Sequence, residues 1–113
     1  MKEEPIEKVI RKFIKAANAF DVYAALALFA PDAVIDDVSV GEKFKSTNGV
    51  RNYLEKFFVG YNTVTKLISL DVLNSMQANA QVDFTGNFGH ETGGLNVTIN
   101  AEGLIIEIDA YLD

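Results

Sequence analysis

Cysteine is absent from the chain, and histidine occurs only once, at position 90. Without cysteine there is no disulfide, no thiolate nucleophile and no cysteine metal site. A metal site needs several convergent ligands, and His90 has only carboxylates to join it. The sequence therefore predicts neither a metal site nor any other bound cofactor.

Basic residues are also in short supply. Lys and Arg number 10 against 16 Asp and Glu, which gives a formal net charge of -6. Nucleic acids and anionic membranes both reward clusters of Lys and Arg, so neither is expected as a partner. No apolar run approaches membrane-spanning length, and the opening MKEEPIEKVI lacks the apolar core of a signal peptide. A cytoplasmic protein is the resulting expectation.

Hydrophobic residues, by contrast, make up 49% of the chain. A chain of 113 residues with that composition can bury a core without disulfides, so we expect residues 1–113 to form one domain. Apolar residues at three- and four-residue spacing predict a first helix over residues 5–20. Phe13 belongs to the apolar face of that helix.

Two adjacent acids are predicted to lie on the strand that follows a second helix. A short second helix is predicted after Asp21, which can cap it, and it should stop before Pro31. A strand over residues 33–40 should then carry Asp36 and Asp37. Because successive strand residues face opposite ways, only one of these carboxylates can point into the fold. The inward carboxylate is the leading candidate for a functional charge, with a solvated strand-end acid or a loop cap as the alternative.

The next segment, residues 41–47, is polar and is predicted to be a loop. A third helix, capped by Thr47 or Asn48, should run to about Phe58 and stop at Gly60. The apolar stripe of this helix consists of Val50, Tyr53, Leu54, Phe57, Phe58 and Tyr61.

Beyond residue 64 the period of the apolar residues becomes two, which predicts β-strands. The strands fall within residues 64–73, 78–88, 95–100 and 104–112, and Ala101–Gly103 forms a hairpin loop. The glycines at 86, 89, 93 and 94 fit bulges or a bend in a curved sheet. Helices followed by a meander predict an α+β fold. We expect a cone-shaped curved antiparallel sheet, with about four long strands plus a short one, wrapped around three N-terminal helices and enclosing a pocket.

Four stretches resemble the SnoaL-like / ketosteroid-isomerase-like branch of the nuclear-transport-factor-like cone folds. They are Ala16–Asp21 (AANAFD), Leu28–Val34 (LFAPDAV), the third helix led by Gly49, and the ending from Gly103–Glu107 (GLIIE) through Tyr111–Asp113 (YLD). The resemblance covers nearly the whole chain. It implies a pocket for a small hydrophobic molecule and a homodimer paired through the sheets. It does not imply one activity, because the superfamily includes isomerases, polyketide cyclases, epoxide hydrolases, dehydratases and non-catalytic binding domains.

Residue by residue, the resemblance assigns a general base to Asp37, which stands where ketosteroid isomerases have their catalytic aspartate. Phe13 stands where those isomerases have a tyrosine, and Leu95 where they have a protonated acid. The histidine of SnoaL-type cyclases would fall on Phe88, two residues before His90. His90 is therefore a candidate proton shuttle, with an exposed turn histidine as the alternative.

Two functions stay open from the sequence. One is an isomerase- or cyclase-type enzyme on a hydrophobic carbonyl compound, with Asp37 as general base and His90 or a tyrosine as acid. The other is a non-catalytic domain that binds a small apolar ligand or associates with a partner. The residues expected to line the pocket are Phe13, Tyr23, Tyr53, Phe57, Phe84, Leu95 and Asp109.

Overall fold

The computed structural model describes residues 5–113. Its helices are α1 (Pro5–Asn18), α2 (Val22–Leu26) and α3 (Ser46–Tyr53), and α3 continues into a π-helical segment, Leu54–Val59. Its strands are β1 (Phe29–Asp37), β2 (Glu42–Lys45), β3 (Val64–Asn74), β4 (Gln77–Gly86), β5 (Gly89–Ile99) and β6 (Ile105–Leu112). These six strands form one open sheet in the order β2-β1-β6-β5-β4-β3.

The predicted α+β cone is confirmed, with one pairing that the sequence did not indicate. Strands β3 to β6 form the antiparallel meander read from the period of two, and β1 forms a hairpin with β2. The two units are joined by parallel pairing of β1 with β6, which sets Asp37 beside Ala110. The sheet is therefore mixed, and β6 lies in its middle rather than at an edge.

The alternation of side chains gives the sheet an inner face that packs on the helices and an outer face. Buried inner-face residues include Ala78, Ala80 and Val82 of β4, Leu95, Val97 and Ile99 of β5, and Ile108 and Ala110 of β6. Helix α1 covers them with Ile6, Ile10, Phe13 and Ile14. Burying this apolar surface is the main stabilising contribution to the fold. The inner face also carries Asp37, because Asp37 shares its parity with the buried Ile35 of β1.

The predicted boundaries of the first two helices were too generous. Helix α1 ends at Asn18 rather than at residue 20, since Phe20 adopts a left-handed conformation with φ 57°. Asp21 caps α2 as predicted, through the hydrogen bond from the Ala24 N–H to its Oδ1 atom at 3.0 Å. Pro31 lies inside β1 instead of ending a helix. It falls where the pairing of β1 with β6 shifts register, a position that tolerates the missing N–H.

Residues 41–47 were predicted to be a loop. That prediction is wrong, because Glu42–Lys45 forms strand β2. The short strand pairs with β1 and buries only one side chain, Phe44, so its alternation is too brief to detect in the sequence. The cap residue of α3 is Lys45, which makes no side-chain capping bond, rather than Thr47 or Asn48. Gly60 does follow the last helical residue, Val59, as expected.

The glycines of β5 permit a close crossing rather than a bulge. Bulges or a bend were predicted at these glycines, and the pairing of β4 with β5 runs without a register shift, so no bulge lies between these two strands. A Cβ atom at Gly93 would clash with the carbonyl oxygen of Tyr111, and one at Gly94 would clash with the phenol ring of Tyr111. The ring can therefore cross β5 on the outer face, where its hydroxyl accepts hydrogen bonds from the Asn79 and Gln81 amides at 3.0 and 2.9 Å.

Candidate functional site

A cavity of about 440 Å³ opens at the end of the cone where β1 turns into β2. The elements around it are the turn after β1, α3 with its π-helical continuation, the loop that follows, β4, the start of β5 and the end of β6. The lining residues are Asp37, Ser39, Val40, Tyr53, Phe57, Phe58, Tyr61, Thr63, Phe84, Phe88, Glu91 and Leu112. Half of these residues are aromatic, and the surface of the wall is mostly apolar.

Asp37 is the buried carboxylate of this cavity. It is 7% exposed, and it accepts three hydrogen bonds. The backbone N–H and the hydroxyl of Ser39 donate to Asp37 Oδ1 at 2.9 and 2.5 Å, and the Tyr53 hydroxyl donates to Asp37 Oδ2 at 2.6 Å. Donors of this kind stabilise a carboxylate out of water. The bonds from Ser39 also cap the turn between β1 and β2, so Asp37 has a structural part as well as a place in the cavity.

Tyr53 is held in its neutral form by the same contact. Burial raises the pKa of the Tyr53 hydroxyl well above its ordinary value, and the negative charge of Asp37 and the hydrogen bond to it raise that pKa further. The hydroxyl therefore keeps its proton at neutral pH. Since a carboxylate can only accept, that one proton points at Asp37 Oδ2. Only the lone pairs of the Tyr53 oxygen are left for a ligand.

The π-helical segment builds the aromatic wall. Its i→i+5 bonds, such as Gly60 N–H to the Glu55 carbonyl at 2.8 Å, widen the turn, so residues five apart share a face. The Tyr53 ring then contacts both Phe57 and Phe58, with ring centroids 5.0 and 6.2 Å away. The Phe57 ring continues the wall to Tyr61 at 5.9 Å. π-Helical turns of this kind are frequent at functional sites.

Two further polar residues sit around the cavity. The Thr63 hydroxyl donates to the Phe57 carbonyl at 2.6 Å, so its proton is also engaged by the protein. The Glu91 side chain is exposed and makes no hydrogen bond or ion pair within residues 5–113. It follows the β4–β5 turn and shares the inner-face parity of Leu95. The cavity therefore contains two carboxylates, one buried and one exposed.

Of the residues named from the sequence, the structure brings Asp37, Tyr53, Phe57 and Phe84 together around this cavity. Asp36 points to the outer face, beside Lys43 and Asp109. Asp36 and Asp37 therefore face opposite sides of the sheet, as the alternation of strand residues requires.

The other named residues lie elsewhere. Phe13 and Leu95 are packed in the core at 3% and 4% exposure, and Tyr23 is 80% exposed on α2. Asp109 lies on the outer face of β6, opposite Asn96. His90 is also on the outer face, where its Nε2 atom lies 2.7 Å from Asp83 Oδ2. Asp109 and His90 face outward for the same reason. In each strand, their positions alternate with those of the buried residues on the inner face.

Sequence reasoning missed several lining residues, among them Ser39, Val40, Thr63, Glu91 and Leu112. A signal existed for Ser39, because an aspartate followed two residues later by a turn residue often accepts that residue's N–H. The predicted third strand of the meander began at residue 95, whereas β5 begins at Gly89. The face of Glu91 could not be assigned while Glu91 was outside the predicted strand.

Within residues 5–113, no three His, Asp or Glu side chains converge to hold a metal ion. In the same range, no helix combines the length and apolar character needed to cross a membrane.

An open curved sheet wrapped around helices, with an apolar cavity at one end, defines the cone-shaped α+β class of proteins. The family model described as the SnoaL-like domain matches residues 10–102. The chain belongs to the SnoaL-like family. Comparison with curated proteins gives no match.

Solved structures share the fold at low sequence identity. RV0760c from Mycobacterium tuberculosis, in complex with estradiol-17beta-hemisuccinate, is 18% identical, with a TM-score of 0.88 over 98% of this chain and 95% of that one. A putative ketosteroid isomerase from Kribbella flavida is 14% identical, with a TM-score of 0.85 over 97% and 78%. The epoxide hydrolase/cyclase-like enzyme SalBIII of salinomycin pyran ring formation is 14% identical, with a TM-score of 0.84 over 96% and 90%. At these identities the likeness establishes the fold alone.

Proposed function

We propose that this protein binds a small, predominantly apolar molecule in the cavity beside Asp37. The observation that carries the proposal is the cavity itself, which has about 440 Å³ of space, mostly apolar walls rich in aromatic rings, and one buried carboxylate. Ligand sites usually have 300–1,000 Å³, apolar linings and a few placed polar groups. The steroid conjugate bound by RV0760c is a precedent for such a ligand in this fold. The cytoplasmic location stays a prediction from the sequence.

The test fills the cavity without touching its hydrogen bonds. Val40 lines the cavity, whereas Val38, in the same turn, is 66% exposed and does not. With estradiol as the probe, we expect Val40→Trp to weaken binding about tenfold or more, measured by calorimetry, because the indole occupies ligand space. Val38→Trp is the matched control and should bind like the wild type. Equal binding of estradiol by both variants would contradict the proposal, as would failure of the wild type to bind either estradiol or any other small, predominantly apolar probe.

A second candidate function is an enzyme that uses Asp37 as a general base on a hydrophobic carbonyl compound. The observation that favours it is a buried carboxylate that lines the cavity and accepts three hydrogen bonds. Proton abstraction beside a carbonyl also needs a donor for the oxyanion. The Tyr61 hydroxyl is the better candidate for that donor, because it lines the cavity and makes no hydrogen bond within residues 5–113, whereas His90 faces the other side of the sheet.

Asp37→Asn tests the enzyme hypothesis. With the ketone estrone as probe, wild type should accelerate exchange of the α-hydrogens for deuterium, and Asp37→Asn should lose about 100-fold or more of that rate. The amide accepts less strongly than the carboxylate, so the free energy of unfolding should also fall by about 1–3 kcal/mol. Asp36→Asn, a change of the same charge on the outer face, is the control.

If Asp37→Asn still binds estrone, the lost exchange reports chemistry rather than binding. Exchange that is no faster with the wild type than with Asp37→Asn would reject the enzyme and leave the binding function standing.

We further propose that two copies pair through the outer face of the sheet, as the family resemblance implies. Val64, Ile68 and Leu73 of β3 support this, because they are apolar and 48%, 58% and 62% exposed. Single exposed apolar residues are ordinary, but several along one strand indicate a surface that is covered in the working protein.

A further inference from the structure

Three hydroxyl groups of the cavity lining have their protons engaged by the protein, so only their lone pairs are left for a ligand. Ser39 and Tyr53 donate their protons to Asp37, and Thr63 donates its proton to a backbone carbonyl. A carboxylate and a carbonyl can only accept, so these directions are fixed by chemistry. Of the lining hydroxyls, Tyr61 alone makes no hydrogen bond within residues 5–113.

The charges of the lining have a single sign. Asp37 and Glu91 line the cavity, and no Lys or Arg does so among residues 5–113. The Lys56 Nζ atom lies 5.3 Å from the Phe57 ring centroid, but Lys56 itself does not line the cavity. Asp37 is 7% exposed, so solvent screens its field weakly. The net charge of -6 adds a negative field around the whole chain.

The aromatic rings of the cavity wall also favour a cationic ligand. Lining side chains with an aromatic ring are Tyr53, Phe57, Phe58, Tyr61, Phe84 and Phe88. The face of an aromatic ring attracts a cation, and this attraction grows when water is excluded. A group that only donates and carries positive charge therefore matches the acceptors, the acids and the rings at once.

We infer that the ligand of this cavity carries a protonated amine on an apolar body, with the ammonium group directed at Asp37 and the Tyr53 oxygen. The inference rests on the proposed binding function and narrows it to one chemical class. An ammonium has donors and no acceptor, so it can donate to the remaining lone pairs without displacing the bond between Tyr53 and Asp37. A carboxylate in the same place would meet lone pairs and like charge, and would be rejected.

The test compares three probes that share one apolar body: 2-(1-naphthyl)ethylamine, 2-(1-naphthyl)ethanol and 1-naphthylacetate. Dissociation constants are measured by calorimetry at pH 7, with neutral estradiol as a fourth probe. We expect the amine to bind about 10- to 100-fold more tightly than the alcohol, as for a hydrogen bond to a charged group. The carboxylate should bind more weakly than the alcohol.

Variants then locate the charge that selects the amine. Glu91→Gln should reduce the preference for the amine over the alcohol about threefold, since Glu91 is exposed and its charge is screened. Asp37→Asn should reduce it about tenfold or more, if the variant is folded by circular dichroism. Glu102→Gln changes the net charge equally but lies in the β5–β6 turn, and it should leave the preference unchanged.

The outcomes separate this inference from the function on which it rests. Equal affinity for amine and alcohol, or binding of estradiol without the amine, would overturn the inference and leave the binding function intact. An equal loss of preference in Glu102→Gln would also overturn it, because the effect would then come from the net charge. Failure of all four probes to bind would instead overturn the proposed function.

Discussion

Tyr53 is joined to Asp37 by a 2.6 Å hydrogen bond inside the protein, and each group controls what the other can do. The phenol supplies one of the donors that hold the carboxylate, and the carboxylate takes the only proton that the phenol has. A ligand therefore meets an acceptor pair rather than an acid and a base. In the absence of a rearrangement, the pair offers no proton to an oxyanion.

The raised pKa of Tyr53 makes a prediction for alkaline pH. In the unfolded chain Tyr53 ionises near pH 10, whereas in the folded protein it keeps its proton to higher pH. Its contribution to stability is therefore complete below pH 10 and is lost as the pH rises through the folded-state pKa. Tyr53→Phe should lower the free energy of unfolding at pH 8 by about 1–3 kcal/mol. This difference in the free energy of unfolding between Tyr53→Phe and the wild type should be smaller at pH 11, as measured by urea denaturation.

The control for this prediction is Tyr23→Phe. Tyr23 is 80% exposed on α2. The free energy of unfolding of Tyr23→Phe should therefore differ little from that of the wild type, by a nearly constant amount between pH 8 and pH 11. A Tyr53→Phe deficit that stayed constant or grew with pH would contradict the argument.

At the scale of elements, the sequence predicted what repeats and missed what is brief or irregular. The period of two along β4 and β6 identified the strands because each has several buried residues on one face. Strand β2 has one such residue, Phe44, so nothing repeats. The π-helical segment could not be predicted, because an apolar pattern over six residues does not distinguish i→i+5 from i→i+4 hydrogen bonds.

The lack of a local sequence signal also explains why only part of the candidate site could be predicted. Alternation predicted that one of Asp36 and Asp37 faces inward, but the choice depends on where β1 starts. Pairing with β6 fixes that start at Phe29, and a partner strand so distant leaves no local signal. Phe13 and Leu95 carry an apolar pattern that is equally typical of a core and of a pocket, and the packing of α1 on the sheet places them in the core.

Strand β5 allows a matched pair of substitutions at adjacent glycines. A methyl group at Gly93 would meet the backbone carbonyl of Tyr111, which β6 holds in place, whereas one at Gly94 would meet the movable phenol ring. Gly93→Ala should therefore lower the free energy of unfolding by about 3 kcal/mol or more, and Gly94→Ala by about 1 kcal/mol. Urea denaturation of both variants checks the order, and a larger loss for Gly94→Ala would contradict it.

At the scale of the whole molecule, three of the exposed apolar residues, Val64, Ile68 and Leu73, lie on β3, which is also an edge of the sheet. The pairing of β3 with β4 shifts register around Ile68, between Leu67 and Ser69. An irregular edge resists the addition of a further strand. Association is therefore expected face to face, across the outer surface, rather than by extension of the sheet.

Sedimentation velocity tests that association. Each chain has a mass of 12.4 kDa, so the wild type should sediment as a species of about twice this mass in roughly 0.15 M salt, which screens the repulsion between acidic copies. The double variant Ile68→Lys, Leu73→Lys should sediment as a monomer. Val59→Lys, at a 39% exposed position on the helical side, is the control and should leave the mass unchanged. A wild type that is already monomeric would reject the dimer.

The parallel pairing of β1 with β6 has a consequence for the order of folding. It brings residue 37 beside residue 110, and closing so long a loop is entropically unfavourable until many other contacts reward it. Asp37 and Leu112 both line the cavity, so the cavity exists only after β6 has docked on β1. A ligand therefore cannot guide the earlier stages of folding. It acts on the finished protein, where we expect it to slow unfolding and leave the rate of folding unchanged.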